Sequence, residues 1–307
     1  MTVMHPVSAA TRDRLARAGL DPAAVEHLVQ MAIAEDLAGG IDVTSVATVP
    51  LGQRSTAQFA ARRAGTVAGI PVAAAVIDVV CGDAASEFVY VAHDGDRVAA
   101  GAVLARVVAP TRLLLTAERT SLNLLCHLSG IATLTARWSD ELVGTGARVR
   151  DTRKTTPGLR MLEKYAVRCG GGVNHRMALS DAALVKDNHV MAAGGVAAAF
   201  TAVRSLAPEI TLEIEVDTMD QLREALDAGA DLIMFDNFTV AEMREGVAVV
   251  RAYAAASGRE VLIEASGGLT VDQARAVGET GVDYIAVGAL THSAPILDVG
   301  LDLTEVH

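Results

Sequence analysis

The chain has 307 residues, of which 51% are hydrophobic and 3% aromatic, and its formal net charge is −11 at pH 7. This length and composition are typical of a folded protein with one large or two medium domains, and they exclude a disordered chain. The acidic balance argues against a nucleic-acid-binding or anionic-membrane surface, so we expect neither as a partner.

Cysteine usage and hydropathy indicate a cytoplasmic protein. Cys81, Cys126 and Cys169 are odd in number, lie far apart and lack metal-binding spacing, as expected of reduced thiols. The first residues have no apolar segment like that of a secretory signal, and no apolar run suggests a membrane span. We therefore expect a cytoplasmic location.

The first hundred residues predict a helix followed by strands. Residues 21–37 predict a helix with Asp21 as its N-cap and Pro22 as its first residue. From residue 55 to 109 the pattern switches to alternating polar and apolar residues, which predicts strands. The motif HDGDRV between two such runs predicts a β-turn.

Residues 111–143 predict a long helix. Arg112 and Arg119 are seven residues apart and share a face of this helix, and Asn123 lies one turn further on. Such a stripe indicates either a solvated face or a contact with an anion or another subunit, and the pattern alone leaves both open.

Six short apolar runs follow, with helical segments between most of them. The runs are ARVRDTRKT, AALVKDNH, TLEIEVD, DLIMFDNF, VLIEASGG and YIAVGALTH. Strands that alternate with helices predict a parallel sheet with right-handed crossovers. Six such units favour a closed or nearly closed β/α barrel over an open sheet, and no GxGxxG motif indicates a Rossmann unit.

Each run ends in polar residues or glycine, and in a β/α barrel these carboxyl ends form the active face. Stability alone does not explain six polar ends that converge on one mouth. The sequence therefore predicts a functional site there, built from Asp151–Lys154, Lys186–Asn188, Glu215–Asp217, Asp236–Asn237, Ser266–Gly268 and Gly288.

Positive charge concentrates in residues 148–186. This segment has nine Arg or Lys against three Asp or Glu, a balance of +6, and it holds every lysine of the chain, Lys154, Lys164 and Lys186. Arginine offers a planar fork and lysine a compact charge, so together they predict a pocket for a small polyanion. Lys164 falls inside a predicted helix, and its role stays open between orienting a site residue and a subunit contact.

Carboxylates lie on the same predicted face. Glu213, Glu215 and Asp217 alternate with apolar residues, so they share one side of their strand, and Asp236 ends the next strand. Acids at a barrel mouth need a cation to offset their desolvation, and Mg²⁺ suits one or two carboxylates plus substrate phosphates. The sequence shows no His or Cys cluster with zinc spacing.

The last two strands end in the glycine-containing motifs ASGGLT and AVGALT, which predict backbone N–H groups open to a phosphate. Phosphate-binding loops, a metal site and basic residues together predict a phosphosugar, a diphosphate–metal complex and an acidic co-substrate. No activated serine or cysteine is evident, so positioning and electrostatic stabilisation would carry the reaction.

The segment 151–189, DTRKTTPGLRMLEKYAVRCGGGVNHRMALSDAALVKDNH, resembles the signature of the quinolinate phosphoribosyltransferase family nearly residue for residue. The motifs EIEVDTMDQ, IMFDNF, EASGGL and GVDYIAVGALTHS continue the resemblance in order, and AERTSLNLL upstream also fits. The resemblance covers roughly residues 22–303, and the length of the main motif makes it specific.

The resemblance implies an α/β fold in which an N-terminal open-faced α/β sandwich is joined to an incomplete, about seven-stranded β/α barrel. We expect the sandwich in residues 1–130 and the barrel in residues 131–290, with the tail 291–307 packed back on the sandwich. The family also implies a homodimer in which the sandwich of one subunit covers the barrel mouth of its partner.

The implied activity is phosphoribosyl transfer from 5-phosphoribosyl 1-diphosphate to quinolinate with decarboxylation. Its products are nicotinate mononucleotide, diphosphate and CO2, and the reaction belongs to NAD biosynthesis. The implied cofactor is Mg²⁺, held by Glu215 and Asp236, partly through substrate and water.

Site residues are carried over by motif. The catalytic residues implied are Lys154 and Lys186, which face the diphosphate and ribose, and Glu215 and Asp236, which hold ribose hydroxyls and Mg²⁺. Quinolinate is implied to contact Arg153, His175 and Arg176 of one subunit and Arg119 of the partner subunit. The remaining substrate-binding residues implied are Thr152, Ser266, Gly267, Gly268, Val287, Gly288 and Ala289.

Three alternatives stay open from the sequence. A paralogue of the family could use a different aromatic acid. A Schiff-base aldolase also places lysines at barrel strand ends, and borohydride trapping of such a lysine distinguishes it. A non-catalytic phosphosugar-binding barrel is the third alternative.

Overall fold

The computed structural model describes residues 4–85 and 88–306, which form two compact units. The first unit comprises Met1–Leu134, Met161–Gly171 and Ser293–His307, and the second comprises Thr135–Arg160 and Gly172–His292. Each unit is therefore assembled from separate segments of the chain. The predicted boundaries at residues 130 and 290 stay predictions.

Most elements of the first unit precede residue 142. In chain order they are α1 (Ala9–Arg17), α2 (Pro22–Leu37), α3 (Val43–Thr48), β1 (Arg54–Ala61), β2 (Gly65–Thr66), α4 (Ile70–Cys81), a 3-10 turn (Gly82–Ala84), β3 (Val89–Tyr90), β4 (Arg97–Val98), β5 (Val103–Pro110) and α5 (Thr111–Glu141), whose last residues belong to the second unit.

The rest of the chain alternates strands and helices. In chain order they are β6 (Arg148–Arg150), α6 (Arg160–Cys169), β7 (Ala183–Val185), α7 (Asp187–Ala193), α8 (Val196–Leu206), β8 (Leu212–Val216), α9 (Met219–Asp227), β9 (Leu232–Asp236), α10 (Val240–Ser257), β10 (Leu262–Ser266), a 3-10 turn (Val271–Gln273), α11 (Ala274–Gly278), β11 (Tyr284–Ala286), α12 (Ala289–His292) and β12 (Val299–Val306).

The first unit is built on an antiparallel sheet with the strand order β12-β1-β5-β3. The predicted helix at residues 21–37 is confirmed as α2, and the carboxylate of Asp21 accepts the N–H of Ala23 at its start. The predicted helix at residues 111–143 is confirmed as α5. On α5, Arg119 and Asn123 are exposed, whereas Arg112 donates to the carbonyl oxygen of Val49.

The prediction of strands from residue 55 to 109 is wrong for α4. Ten of its twelve residues are buried and apolar, and only Pro71 and Asp78 are not, so the helix shows no clear helical periodicity in the sequence. The turn in HDGDRV is confirmed by the bond from the N–H of Asp96 to the carbonyl of His93. Within this turn, Asp94 accepts the N–H groups of Gly69 and Ile70 at the start of α4.

Helix α6 brings Lys164 into the first unit, because Met161–Gly171 group with that unit. The side chain of Lys164 is fully buried there. Its neighbour Glu163 is also buried, and its Oε1 lies 2.8 Å from Nε2 of His127. Lys164 therefore lies in the interior of the first unit and belongs to none of the barrel strand ends.

The second unit is built on a parallel sheet with the strand order β6-β11-β10-β9-β8-β7. All six apolar runs predicted as strands form it. Val173 adds a single parallel bridge to Arg150 on β6, which extends the order by one position. Six strands and this bridge agree with the expected incomplete barrel.

The sheet interior explains why the strands form where they do. Ile214, Ile233, Phe235, Ile263 and Ile285 are 1% exposed or less. Strands buried on both faces read as continuous apolar runs, which is how they appear in the sequence. Among the described residues, no single helix is long and apolar enough to span a bilayer, and only α7 and α8 taken together, bent by 89°, meet that criterion by length and composition.

Candidate active site

A cavity of about 430 Å³ lies at the carboxyl ends of the parallel strands. Because these ends meet at one edge of the sheet, residues far apart in the sequence face one space. The lining residues are Thr152, Arg153, Lys154, His175, Arg176, Leu184, Lys186, Glu215, Met234, Asp236, Glu264, Ser266 and Ala286.

A second cavity of about 490 Å³ continues the first. The two share the lining residues Thr152, Lys154, Asp236, Ser266 and Ala286. Beyond these, the second cavity is lined by Asn237, Gly267, Gly268, Leu269, Val287, Gly288, Ala289 and His292. The site therefore has a basic end in the first cavity and a glycine-rich end in the second.

The structure brings together in these two cavities every site residue that the resemblance implies except Arg119, whereas the strand-end residues Asp151, Asp187, Asn188 and Asp217 line neither cavity. Arg119 lies on α5 in the first unit and lines neither cavity. Of the nine predicted cations between residues 148 and 186, four line the site: Arg153, Lys154, Arg176 and Lys186. The other five cations line neither cavity, so only part of the positive charge of this segment faces the site.

Two guanidinium groups form the basic end. Burial and then the charge of Arg153 lower the pKa of Arg176, although Arg176 also donates to the carbonyl oxygen of Ala182 over 2.6 Å. Nε of Arg153 is buried and has no hydrogen-bond partner among the described residues. Two cations held together with an unused donor favour an anionic ligand with more than one acceptor group.

The two lysines of the site differ in their surroundings. Nζ of Lys186 forms an ion pair with Oε2 of Glu215. Lys154 is fixed through its backbone, because Thr152 Oγ1 accepts its N–H at 3.0 Å and Thr291 Oγ1 donates to its carbonyl at 2.8 Å.

Two carboxylates also line the site, Glu215 in the first cavity and Asp236 in both. Burial, and then the charges of Glu215 and Asp217, raise the pKa of Asp236. A pair of oxygen donors under mutual repulsion fits a hard divalent cation such as Mg²⁺, which relieves that repulsion. The donor set therefore fits the predicted metal.

The glycine-rich loops require glycine for steric reasons. Gly267 has φ of +109°, and a Cβ there would come within 2.7 Å of the backbone nitrogen of Asn237. The N–H of Asn237 donates to the carbonyl of Ser266 over 3.1 Å, which ties the ends of β9 and β10 together. At Gly288 a Cβ would lie 2.9 Å from Cδ of Lys154, so the backbone approaches that lysine closely.

Three residues next to the basic end were not predicted from the sequence as site residues: Glu213, Glu264 and Arg150. Glu213 and Glu264 are 1% and 0% exposed, and Glu264 accepts a hydrogen bond from Arg150 over 2.7 Å. The sequence carried a signal for both acids, since each interrupts an apolar strand, and an acid inside a buried strand needs a partner. Arg150 was harder to identify from the sequence. It alternates with Val149, and this is the pattern of any strand whose outer face is solvated.

Two family models together match most of the chain. The N-terminal domain of quinolinate phosphoribosyl transferase matches residues 42–129, and its C-terminal domain matches residues 131–302. The chain belongs to the quinolinate phosphoribosyl transferase family. The family and the two-part α/β fold that the motifs predicted are confirmed, as is an enzyme of the phosphoribosyl-transferring class.

Relatives in the quinolinate phosphoribosyl transferase family agree over nearly the whole chain. A nicotinate-nucleotide pyrophosphorylase (carboxylating) of Mycobacterium leprae is 51% identical over 91% of this chain and 97% of its own. A quinolinate phosphoribosyltransferase (decarboxylating) of Nicotiana glauca is 38% identical over 91% of this chain and 82% of its own. The solved nicotinate-nucleotide pyrophosphorylase of Francisella tularensis has a TM-score of 0.85 at 36% identity, covering 92% of this chain and 96% of its own.

Proposed function

We propose that this chain catalyses the reaction of its family. It transfers the phosphoribosyl group of 5-phosphoribosyl 1-diphosphate to the ring nitrogen of quinolinate and releases diphosphate and CO2, leaving nicotinate mononucleotide. The observation that carries the proposal is the continuity of the two cavities, which joins a guanidinium pair to a glycine-rich cradle through two lysines and two carboxylates.

The guanidinium end binds quinolinate. Its two adjacent carboxylates match Arg153 and Arg176, because the charge of Arg153 acts unfavourably on that of Arg176 and an anion relieves this repulsion. A planar guanidinium binds a carboxylate through two parallel hydrogen bonds, which also fixes the plane of the pyridine ring. His175 lies in the wall beside them.

The glycine-rich end binds the 5-phosphate. Ser266–Gly268 and Val287–Ala289 present backbone there, and both loops lead into the next helical segment. Lys154 lines both cavities, so its ammonium lies near the ribose and diphosphate of a substrate that spans them. Lys186 in the first cavity supplies a second compact charge for the departing diphosphate.

Mg²⁺ is proposed as the cofactor, with Glu215 and Asp236 as the residues that would hold it together with substrate and water. When bound, it supplies positive charge to the oxygens of the diphosphate. The ion pair between Glu215 and Lys186 leaves the second oxygen of Glu215 for the cation or a ribose hydroxyl.

In the proposed steps the protein forms no covalent bond with a substrate. The bond between the ribosyl C1 and the diphosphate oxygen breaks with both electrons going to the oxygen, and Lys154 and Lys186 stabilise that charge. Glu215 and Asp236 stabilise the cationic character that develops at C1. The pyridine nitrogen supplies the electron pair for the new bond to C1.

Decarboxylation follows from the new bond. The bond from the ring to the 2-carboxylate then breaks, CO2 leaves, and the electron pair stays on the ring carbon beside the cationic nitrogen. A proton taken up at that carbon completes nicotinate mononucleotide. Arg153 and Arg176 hold the ring so that this carboxylate stays oriented for departure.

The proposed assembly is a cytoplasmic homodimer with shared sites. Arg119 is exposed on α5 and lines neither cavity of its own chain, so it is available to reach quinolinate bound by the partner subunit. We expect neither nucleic acid nor membrane as a further partner, because the net charge is −11.

Turnover with a set of pyridine acids tests the proposal. The purified chain, phosphoribosyl diphosphate and Mg²⁺ are incubated with quinolinate, with nicotinate or with another pyridine dicarboxylate, and the mononucleotide is quantified. We expect efficient turnover of quinolinate alone, because only it carries carboxylates on two adjacent ring carbons, one of which is next to the acceptor nitrogen. Product from another acid, with none from quinolinate, would show that the chain uses a different substrate.

A further inference from the structure

The buried carboxylate of Asp151 holds the segment Asn174–Arg176 in place. Asp151 is fully buried, and its Oδ1 accepts the backbone N–H of His175 over 2.8 Å. Its Oδ2 accepts the side-chain amide of Asn174 over 2.5 Å. The hydrogen bonds that this segment donates to a buried carboxylate set where its backbone runs along the cavity wall.

The ring of His175 links that segment to a second set of acids. Its Nδ1 accepts the backbone N–H of Arg176 over 2.7 Å, so the ring proton is on Nε2. Nε2 lies 3.0 Å from Oε2 of Glu213 and 3.8 Å from Oε1 of Glu264. Both nitrogens of the ring therefore face protein groups, and the ring connects the acids to the backbone of Arg176.

The two acids have few other partners. Oε1 of Glu213 and Oε1 of Glu264 are buried and have no hydrogen-bond partner among the described residues. Burial, followed for Glu264 by the charge of Glu213, raises the pKa of each carboxyl to about 7. Arg150 donates to the other oxygen of Glu264 over 2.7 Å and lies over the ring of Tyr284 at 4.7 Å. Arg150 thus holds Glu264 in place. Both acids lie beside the ring of His175.

We propose that Glu213 and Glu264 are positioning residues for quinolinate binding: they fix the ring of His175, and through it the backbone of Arg176 at the guanidinium end of the cavity. The inference rests on the proposed function and extends it to residues beneath the binding surface. Without the charge of the acids, Nε2 of His175 loses the two carboxylates that lie within 4 Å of it, and a ring that turns deprives the N–H of Arg176 of its acceptor. A displacement of about 1 Å at a substrate-binding group is enough to weaken binding and catalysis.

A metal ion is a less suitable occupant of this cluster. Ligand atoms of His175, Glu213 and Glu264 lie within 4.8 Å of one another, a spacing that a metal could use. However, Arg150 already pairs with Glu264, and the charge of Arg176 acts on Glu213. The two acids already face two guanidinium groups. Their negative charge is therefore balanced without a divalent cation.

The experiment compares Glu213→Gln and Glu264→Gln with the wild type and with Glu245→Gln, an exposed residue of α10. Glutamine keeps the shape and removes the charge. We expect KM for quinolinate to rise at least about tenfold in both buried variants, while KM for phosphoribosyl diphosphate changes less than about twofold. Glu245→Gln is expected to match the wild type in both constants.

A coupled variant shows whether the acids act through the ring. His175→Asn is expected to raise KM for quinolinate in the same selective way. In that background, Glu213→Gln is expected to add less than about twofold, because residues in one hydrogen-bonded chain are not additive. If one glutamine variant does not fold, the other and His175→Asn still decide the question.

Several results would overturn the inference. They are an unchanged KM for quinolinate in the folded variants, an equal rise in KM for both substrates, or full additivity with His175→Asn. A stoichiometric metal that survives dialysis against a chelator in the wild type but is lost from Glu264→Gln would also overturn it. Wild-type turnover separates this inference from the proposed function: no turnover of quinolinate rejects the function, whereas turnover with unaltered variants rejects only the positioning role.

Discussion

At the residue scale, the three lysines of the chain fall into two settings. Lys154 and Lys186 line the site, and Lys164 is buried in the first unit. The two site lysines could be predicted because each lies just beyond a strand, Lys186 directly after β7 and Lys154 four residues after β6. The burial of Lys164 could not, because its helix shows no sequence feature that assigns it to the first unit.

Replacing a site lysine by arginine tests the need for a compact charge. In Lys186→Arg the guanidinium spreads its charge over a plane and is expected to stabilise the departing diphosphate poorly, so kcat should fall about 100-fold. Steady-state kinetics and thermal unfolding measure the effect. The control is Arg148→Lys, which is exposed on β6 and lines neither cavity. Equal kcat in Lys186→Arg and the wild type would contradict the assigned role.

The buried acid of β10 predicts a pH dependence of stability. The folded pKa of Glu264 is about 7, above its ordinary value of 4.5. The folded state therefore binds this proton more tightly than the unfolded state, and the stability it contributes below about pH 4.5 is lost as pH rises through about 7. Gln does not titrate. We expect the free energy of unfolding of Glu264→Gln, relative to the wild type, to rise between about pH 5 and pH 8.

Chemical denaturation at several pH values measures this difference. A difference that stays constant or decreases over the same range would show that Glu264 is not held in its protonated form by the fold. The sequence could not predict this behaviour, because the alternation in TLEIEVD and VLIEASGG reveals which face an acid occupies but not how deep it lies.

At the element scale, apolar runs predicted all six parallel strands and the polar ends that form the site. The helix α4 was missed, because ten of its twelve residues are buried and Asp78 is its only charged residue. Periodicity identifies a helix that has a polar face and an apolar face, and one charged residue does not make a polar face. The glycine loops were predicted as phosphate-binding from composition, and the structure adds the reason why glycine stands there.

A substitution of Gly267 tests the loop that follows β10. Gly267→Ala places a Cβ 2.4 Å from Oδ1 of Asn237 at a backbone with φ of +109°. The loop must shift, so we expect KM for phosphoribosyl diphosphate to rise about tenfold and stability to fall by about 1–3 kcal/mol. Gly258→Ala is the matched control, because it also has positive φ, at the end of α10, but no atom within 4 Å. An unchanged KM in Gly267→Ala would reject the phosphate-binding role of this loop.

At the scale of the whole molecule, the sequence could predict the family and the class of fold but not how the chain is divided. Residues 161–171 group with the first unit although their neighbours on both sides belong to the second. Such grouping depends on tertiary packing between distant segments, which no local pattern records. The long motif from Asp151 to His189 therefore contains segments of both units.

Subunit mixing tests the proposed shared site. Arg119→Ala and Lys154→Ala are each expected to be nearly inactive as homodimers. In a mixture, a hybrid dimer carries one site in which both residues are intact, so up to about a quarter of wild-type activity should return. Activity of the mixture after demonstrated subunit exchange is the measurement. No recovery would show that Arg119 and Lys154 do not serve one site from different subunits.

The central claim is that the site joins quinolinate to a phosphoribosyl group and that the new bond permits loss of CO2. Quinolinate labelled in its 2-carboxylate, turned over by the wild type with phosphoribosyl diphosphate and Mg²⁺, tests it most directly. The account predicts one labelled CO2 for each nicotinate mononucleotide, and none when phosphoribosyl diphosphate is omitted. A product that retains the label, or labelled CO2 released without phosphoribosyl diphosphate, would contradict it.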